Sequence, residues 1–218
     1  MLNRAEEDYI KAIYELTVQN ELELIKTTEI TEYFGYTDQS VNEMIKKLSQ
    51  KKLVNFLPYK GISLTKRGKK EAIRMIRAHR IWEVFLTEKL GFSWENVHED
   101  AEKLEHATSI EVIDKLYDYI GKPEYCQHGN PIPTDKGYMS KAATLSLLSC
   151  QVGQSFRITR VLDVKALLLY LNEEGIKLND EVEVLEKDEF NGIMKIKHHE
   201  HKTTLSLKTA KMLFGECV

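Results

Sequence analysis

Histidine and acidic side chains recur at helical spacing in the middle of the chain, at His79, Glu83, His98, Glu102, Glu105 and His106. Offsets of three and four residues place Glu102, Glu105 and His106 on one face of a helix. Imidazole nitrogens and carboxylate oxygens gathered in this way can surround a divalent cation. A surface ion pair is the ordinary explanation for one such His–Glu pair, but the repetition along adjacent helices favours a metal site.

A further pair of candidate ligands, Cys126 and His128, lies in a segment rich in proline and glycine between residues 121 and 141. The C-x-H spacing is not specific alone, and it becomes informative only beside His79 and Glu83. The three cysteines of the chain are an odd number at wide spacing, which argues against a disulfide framework and indicates a reducing compartment.

The chain lacks an apolar run long enough to cross a bilayer, and its charged N-terminus does not resemble a signal peptide. These features predict a soluble, cytoplasmic protein with no membrane partner. The sequence also lacks the HExxH motif of zinc proteases and the nucleophile elbow of hydrolases. A metal-dependent hydrolase is therefore a weak alternative, and no small-molecule substrate is expected.

Lysines and arginines are concentrated between Lys46 and Arg80, where Glu71 is the single acid, although the whole chain has 31 basic and 34 acidic residues. Such local charge suits contacts to DNA phosphates. The stretch from Ile81 to Ala142 is acidic instead, which suits bound cations. A solvated helix face is the alternative interpretation of either segment.

Apolar spacing predicts a first helix from Arg4 to Thr17 that has Asp8 on its polar side. A short helix should follow from about Thr28, a candidate N-cap, to Phe34 before Gly35, and a third helix opens at Thr37. The segments LVNF and ISLT, joined by turn residues Pro58 to Gly61, then predict a hairpin. This order is typical of a winged helix-turn-helix, whereas a structural helical hairpin with incidental lysines is the alternative.

The third helix has the composition of a recognition helix, with apolar residues on one face and polar residues on the others. We expect four of its polar side chains to reach base edges: Thr37, Gln39, Ser40 and Asn42. We expect lysines of this helix and of the hairpin region to contact phosphates: Lys46, Lys47, Lys60 and Lys66.

The remaining pattern predicts helices over Thr65–Leu90, Trp94–Thr108 and Ile110–Ile120, which could form a dimer interface. After the irregular segment, FRITRVLD, EVEVLEK and GIMKIKHHEHKTTLSL alternate as strands do, with a helix from Val164 to Glu174 between them. A small β-barrel is the natural closure. The predicted fold is mainly α with small β elements, divided into residues 1–72, 73–142 and 143–218.

The motifs EDYIKAIYEL, SVNEMIKKL, KGISLTKRGKK, AHRIWEVFL and VHEDAEKLEHATS, followed by CQHG and IP, resemble the diphtheria toxin repressor family of metal-dependent regulators. The resemblance covers essentially the whole chain and is greatest to the manganese-responsive branch with a C-terminal SH3-like domain. It implies a primary metal site of Asp8, Glu102, Glu105 and His106. It also implies a second site of His79, Glu83, Cys126, His128 and Asp163, assisted by His98.

The resemblance also bears on the metal. Iron-selective members tend to have sulfur donors at the positions of Asp8 and Glu102, whereas this chain has carboxylates, and hard oxygen ligands favour Mn²⁺. Fe²⁺ is the alternative, and Cd²⁺ or Zn²⁺ can substitute. Lys11 stands where some manganese regulators have an additional glutamate, which argues against a closely paired binuclear centre and for two separated sites.

By this resemblance, the chain is expected to be a repressor that controls metal-transport genes. Metal would act as a corepressor by fixing the spacing of two recognition helices in a homodimer bound to double-stranded operator DNA. The alternative from a different class, besides the hydrolase, is a winged-helix regulator controlled by another ligand, with the histidines and acids as ordinary polar residues.

Overall fold

The structure, a computed structural model, describes residues 2–19, 22–57 and 60–218. Contacts divide the chain into two compact units. The first unit comprises Met1–His79, Glu105–Thr108 and Pro133–Tyr138, and the second comprises Arg80–Leu104, Ser109–Ile132 and Met139–Val218. In the described part of the chain, no helix combines the length and the apolar character that a bilayer span requires.

The first unit contains the predicted helix-turn-helix and its hairpin. Its elements are α1 (Arg4–Gln19), α2 (Thr27–Phe34), α3 (Asp38–Gln50), β1 (Val54–Leu57), β2 (Gly61–Leu64) and the beginning of α4 (Lys66–Leu90). The antiparallel register pairs Val54 with Leu64 and Leu57 with Gly61, which confirms the predicted hairpin. The part of the predicted turn at Pro58 and Tyr59 lies outside the described residues.

Local capping interactions determine where these helices begin. Asn3 accepts the backbone N–H of Glu6 at 3.0 Å, and Glu6 accepts the backbone N–H of Asn3 at 3.1 Å, a reciprocal cap of α1. The Thr37 side chain accepts the Ser40 N–H at 3.3 Å and caps α3 as expected. The prediction for Thr28 was wrong, because α2 begins at Thr27 with Lys26 as its N-cap.

The second unit contains the helical segment that follows α4. Its helices are α5 (His98–Ala107), of which Glu105–Ala107 belong to the first unit, and α6 (Ile110–Tyr119). The predicted start of α5 at Trp94 was wrong. Asn96 forms backbone and side-chain hydrogen bonds with Ser93, at 3.1 and 2.9 Å, which hold a turn before the helix begins at His98.

The C-terminal part of the second unit is an antiparallel sheet with strand order β3-β8-β4-β5-β6-β7. The strands are β3 (Leu145–Ser146), β4 (Ser155–Val161), β5 (Glu181–Asp188), β6 (Ile193–His198), β7 (His201–Ser206) and β8 (Leu213–Cys217), with helices α7 (Lys165–Glu173) and α8 (Leu207–Lys211). Side chains such as Phe156, Leu168 and Ile196 form its buried core. This arrangement confirms the predicted C-terminal SH3-like domain.

Three elements of this domain, β3, α8 and β8, were not predicted. The helix α8 begins where the alternating pattern ends, because the Ser206 side chain accepts the Thr209 N–H at 2.9 Å. The strand β8 then pairs with β4 and β3.

Candidate metal centres and DNA-binding face

The first candidate metal centre joins Asp8 of α1 to Glu105 and His106 of α5, all within the first unit. One ligand atom from each of these side chains lies within 4.8 Å of the other two. His106 Nε2 is 2.8 Å from Asp8 Oδ1 and 3.6 Å from Glu105 Oε1. Within the described residues, Asp8 Oδ1 and His106 Nε2 are buried without a well-directed hydrogen bond. Atoms that approach without bonding to one another fit ligands of a shared cation.

Glu7 orients the imidazole of this centre. His106 Nδ1 lies 2.8 Å from Glu7 Oε2, an arrangement in which the ring donates its Nδ1 proton and turns Nε2 toward Asp8. Glu7 is itself held by Arg74, which donates to it at 2.7 Å. Burial opposes a charged ring, but the neighbouring carboxylates of Asp8 and Glu7 outweigh it and raise the pKa of His106.

Lys11 brings a positive charge to the same region. Its ammonium lies 3.0 and 2.9 Å from the two Glu105 oxygens and 3.2 Å from His79 Nδ1, and His79 Nδ1 is 2.5 Å from Glu105. Burial would raise the pKa of the Glu105 carboxyl, but His79 and Lys11 hold it below its usual value. Glu105 is therefore an anionic candidate ligand although it is buried.

Glu6 connects α1 to the helix that we expect to read DNA. Its buried carboxylate lies 2.7 Å from Lys51 Nζ and 3.0 Å from Lys47 Nζ at the C-terminal half of α3. Burial would raise the pKa of Glu6, but hydrogen bonds from Lys51, the Asn3 backbone and Lys47 lower it to about 2. The helix α1, which carries the candidate ligand Asp8, is thus joined to the end of α3 by ion pairs to a buried carboxylate.

Two ligands implied for these centres lie in a different unit from their expected partners. Glu102, one turn before Glu105 on α5, belongs to the second unit, where its carboxylate is 3.5 Å from His98 Nε2. His79, one turn before Glu83 on α4, belongs to the first unit. The assignment of both residues as ligands stays a prediction.

The second candidate centre lies within the second unit and combines Glu83, Cys126 and His128, whose ligand atoms are within 4.8 Å of one another. His128 Nδ1 is 3.3 Å from Glu83 Oε1, and His128 Nε2 is 3.8 Å from Asp163 Oδ1. His98 Nδ1 contacts Asp163 Oδ2 at 2.6 Å. These implied ligands of the second unit are thus brought together.

Burial and neighbouring groups raise the pKa values of three side chains in this second centre. Burial opposes a charged His128, but hydrogen bonds to Cys126 and Glu83 outweigh it and raise its pKa to about 11. Burial also raises the pKa of the Cys126 thiol. Hydrogen bonds to Asp163 and Glu102 raise the pKa of His98 to about 10. A divalent cation at this centre would therefore compete with protons for these side chains.

The loop that carries Cys126 and His128 is docked on β4. A Cβ added at Gly129, whose φ is +77°, would overlap the Thr159 carbonyl oxygen, so glycine permits this close approach. The Val161 N–H donates to the His128 carbonyl at 2.9 Å. The Trp94 ring stacks on the His128 ring, and the Trp94 backbone carbonyl oxygen lies 3.0 Å from His128 Nε2.

Sequence reasoning did not identify Glu6, Glu7 or Trp94 as supports of these centres. Glu6 could have been noticed, because Asn3 and Glu6 have the spacing of a reciprocal helix cap. Glu7 and Trp94 act on histidines far along the chain, and no local pattern encodes those pairings.

The predicted base-reading side chains lie at the exposed start of α3 and already have intramolecular partners. Gln39 Nε2 donates to Glu43 at 3.1 Å, Asn42 Nδ2 donates to the Asp38 carbonyl at 2.8 Å, and Thr37 contacts Ser40 at 3.0 Å. If these side chains contact bases, hydrogen bonds to the bases would replace the intramolecular ones. Lys46 and Lys60 are exposed, Lys66 begins α4, and Lys47 contacts Glu6.

Three family models match consecutive parts of the chain. They describe the N-terminal DNA-binding domain of iron-dependent repressors over residues 1–62, their metal-binding and dimerisation domain over 65–134, and the FeoA domain over 145–217. An uncharacterized HTH-type transcriptional regulator of Methanocaldococcus jannaschii, MJ0568, is 36% identical over 121 residues, which cover 56% of this chain and 96% of that protein. The HTH-type regulator MntR of Geobacillus kaustophilus is 33% identical, over 52% of this chain and 79% of that protein.

This chain belongs to the diphtheria toxin repressor family. A manganese-dependent transcriptional repressor in complex with manganese is a similar solved structure, with a TM-score of 0.89, 29% identity and coverage of 98% of this chain and 100% of that chain. The repressor ScaR with bound Cd²⁺ has a TM-score of 0.86 at 30% identity and covers 98% of this chain and 99% of its own.

Family membership confirms the predicted fold class, because these relatives share the helical DNA-binding and dimerisation domains and the C-terminal β domain. The diphtheria toxin repressor family consists of transcriptional repressors and not of enzymes, so the hydrolase alternative is set aside.

Proposed function

We propose that this chain represses transcription in response to manganese. Mn²⁺ held by Asp8, Glu105 and His106, with Glu102 as a further ligand one turn earlier on α5, activates a homodimer for binding to operator DNA. Genes for metal transport are the proposed targets. A repressor works where the chromosome is, so the proposal places the protein in the cytoplasm.

One observation carries this proposal: the carboxylate of Asp8 meets Glu105 and His106, although about a hundred residues separate them along the chain. A cation there would hold α1 against the end of α5. Because Glu6 joins α1 to Lys47 and Lys51, the same restraint would reach α3. Coupling of this kind is reciprocal and typically about 1–3 kcal/mol, so operator DNA should tighten metal binding as much as metal tightens DNA binding.

The donor set supports manganese as the physiological ion. Asp8, Glu102 and Glu105 offer hard carboxylate oxygens, and His106 offers the one nitrogen of the set. One similar structure is a manganese-dependent repressor with manganese, and two others are of ScaR with Cd²⁺ or Zn²⁺. The family model of the metal-binding domain is named for iron. Fe²⁺ is therefore the competing physiological ion.

The second centre, of Glu83, Cys126, His128 and Asp163 with His98, is proposed to have a structural role. Its ligands come from α4, the start of α5, the docked loop and the segment after β4. A cation there would stabilise the second unit and would not act through α1. We therefore expect its loss to affect unfolding more than the response of DNA binding to metal.

Exposed apolar side chains support the proposed homodimer. Val112 and Tyr119, which are seven residues apart and therefore lie on one face of α6, are 48% and 70% exposed. Exposed apolar side chains on one helix face are characteristic of an interface. Two copies paired there would present two recognition helices to half-sites about one DNA turn apart. Within this proposal residues 1–72 bind DNA, 73–142 form the dimer and the metal centres, and 143–218 form the third domain.

Fluorescence anisotropy with DNA from the promoter of the chain's own gene tests the proposal at fixed salt. We expect Mn²⁺ to tighten binding relative to chelator, and we expect Asp8→Ala to abolish that response. Asp135→Ala, which removes an exposed loop carboxylate, is the matched control. Equal affinity in chelator and Mn²⁺ would favour a regulator controlled by another ligand, and a larger response to Fe²⁺ would overturn the assignment of manganese.

A further inference from the structure

A cluster of histidines in the C-terminal domain lies outside both candidate centres. The hairpin of β6 and β7 pairs His198 directly with His201, and His199 and Glu200 form the turn between them. The register of β5 with β6 pairs Val182 with His198, so the segment immediately before β5 runs beside this turn. Asp180 is in that segment.

The side chains of Asp180, His198 and His199 converge. One ligand atom from each lies within 4.8 Å of the other two. His198 Nε2 is 2.8 Å from Asp180 Oδ2, and the rings of His198 and His199 are 4.2 Å apart between centroids. Two ligands each about 2.0–2.2 Å from a tetrahedral ion are separated by roughly 3.4 Å, so an ion would replace the His198–Asp180 hydrogen bond after the pair opens by about half an ångström.

Backbone conformation directs His199 toward this pair. Consecutive residues of a strand point to opposite faces, which would separate neighbouring histidines. His199 instead leaves the strand with a φ of +50°, a conformation that tight hairpin turns usually assign to asparagine or glycine. The His199 side chain is exposed, so its ring can rotate toward His198 and Asp180. His198 is 4% exposed, and Asp180 is partly exposed.

The backbone around Asp180 fixes the carboxylate. The Asp180 carbonyl accepts the Ile158 N–H at 3.0 Å, and Asp180 Oδ2 accepts the Lys177 N–H at 2.7 Å. Asp180, the candidate ligand from outside the hairpin, is therefore held by β4 and by the turn that begins at Lys177. This arrangement is more than a flexible run of surface histidines.

We infer that Asp180, His198 and His199 form an additional divalent-metal site that takes an imidazole-preferring ion of the zinc class. Two nitrogen donors and one carboxylate suit Zn²⁺, Ni²⁺ or Cu²⁺ better than Mn²⁺, which favours oxygen-rich sites. His201 pairs directly with His198, so the two side chains lie on the same face of the hairpin. The site would bind zinc-class ions independently of the manganese-sensing centre.

Equilibrium dialysis of the full chain against micromolar Zn²⁺, and separately against Mn²⁺, tests this site. We expect His199→Ala and Asp180→Asn each to lose one equivalent of bound Zn²⁺ and to retain all bound Mn²⁺. Lys202→Ala, an exposed change in the same hairpin, should retain both. In NMR spectra, Ni²⁺ should broaden resonances of residues 198–201 and 180 in the wild type and not in His199→Ala.

Retention of every Zn²⁺ equivalent by His199→Ala would overturn the inference. Loss of Zn²⁺ together with Mn²⁺ would also overturn it, because that result would mean a change spread through the protein. Uptake of Zn²⁺ by the hairpin only at millimolar concentration would show adventitious binding by surface histidines and no built site.

Discussion

Lys11 donates to both carboxylate oxygens of Glu105, at 3.0 and 2.9 Å. The pair is buried, with side chains 6% and 0% exposed. A fixed ammonium thus neutralises, in the metal-free chain, a carboxylate that we propose as a metal ligand. A divalent cation at Asp8 and His106 would share Glu105 with this internal charge.

Replacing Lys11 should make folding more dependent on metal. Lys11→Met leaves the buried Glu105 carboxylate with His79 as its remaining partner, and breaking a buried ion pair typically costs about 3–5 kcal/mol of unfolding free energy. Bound Mn²⁺ would then supply the missing positive charge. Urea unfolding in chelator and in Mn²⁺ should show a larger metal-induced gain in Lys11→Met than in the wild type. An equal gain would count against a shared Glu105, and Lys115→Met on exposed α6 is the control.

Glu7 should control metal affinity without being a ligand. Glu7→Gln weakens the contact that turns His106 Nε2 toward Asp8, and loss of such a supporting carboxylate typically lowers metal affinity about 10–100-fold. Glu71→Gln is a matched control, because Glu71 also accepts from Arg74, at 3.0 Å. Calorimetric titration with Mn²⁺ should separate the two variants. Identical affinities would mean that Glu7 does not orient the imidazole.

Glu6 and Lys51 should be energetically coupled. Their 2.7 Å contact is buried on the Glu6 side, so Glu6→Gln and Lys51→Met should not add in their effects on unfolding free energy. Directly paired residues show coupling of about 0.5–3 kcal/mol in double-mutant cycles. Urea unfolding of both single variants and the double variant measures this coupling. Strict additivity would show that the pair does not join α1 to α3.

The lysines of α3 should act through phosphate charge. Lys46→Ala should weaken binding to operator and unrelated DNA alike and should reduce the slope of log affinity against log salt by about 1. Lys122→Ala removes an exposed lysine outside the DNA-binding face and should leave the slope unchanged. Anisotropy at several salt concentrations with Mn²⁺ present provides the measurement. An unchanged slope for Lys46→Ala would remove this residue from the DNA contacts.

Local periodicity was sufficient to predict the helices of the first unit and the hairpin, because each buries apolar residues at regular spacing. It also placed Glu105 and His106 on one helix turn. Asp8 entered the site only through the resemblance, since nothing near residue 8 indicates that its partners are about a hundred residues away. Lys11 was placed by resemblance too, but its buried contact with Glu105 became visible only in the folded chain.

The errors have local physical causes. The Ser93–Asn96 turn competes with helix formation at Trp94, and the cap at Ser206 begins α8, a helix for which no prediction was made. Side-chain hydrogen bonds to nearby backbone compete with secondary structure in this way. The spacing of apolar residues does not show where such side-chain hydrogen bonds will form.

Gly68 lies in the first turn of α4, where an added Cβ would overlap the carbonyl oxygen of Leu53. Thr65 accepts the Gly68 N–H at 3.0 Å. The first turn of α4 therefore packs directly against the backbone of Leu53, the residue before β1. In a genetic screen for cells that have lost repression, Gly68 should therefore recur among the hits. Gly68 would resemble a DNA-contacting residue in such data. Its importance would instead come from the absence of a side chain, which lets the Leu53 carbonyl approach the helix.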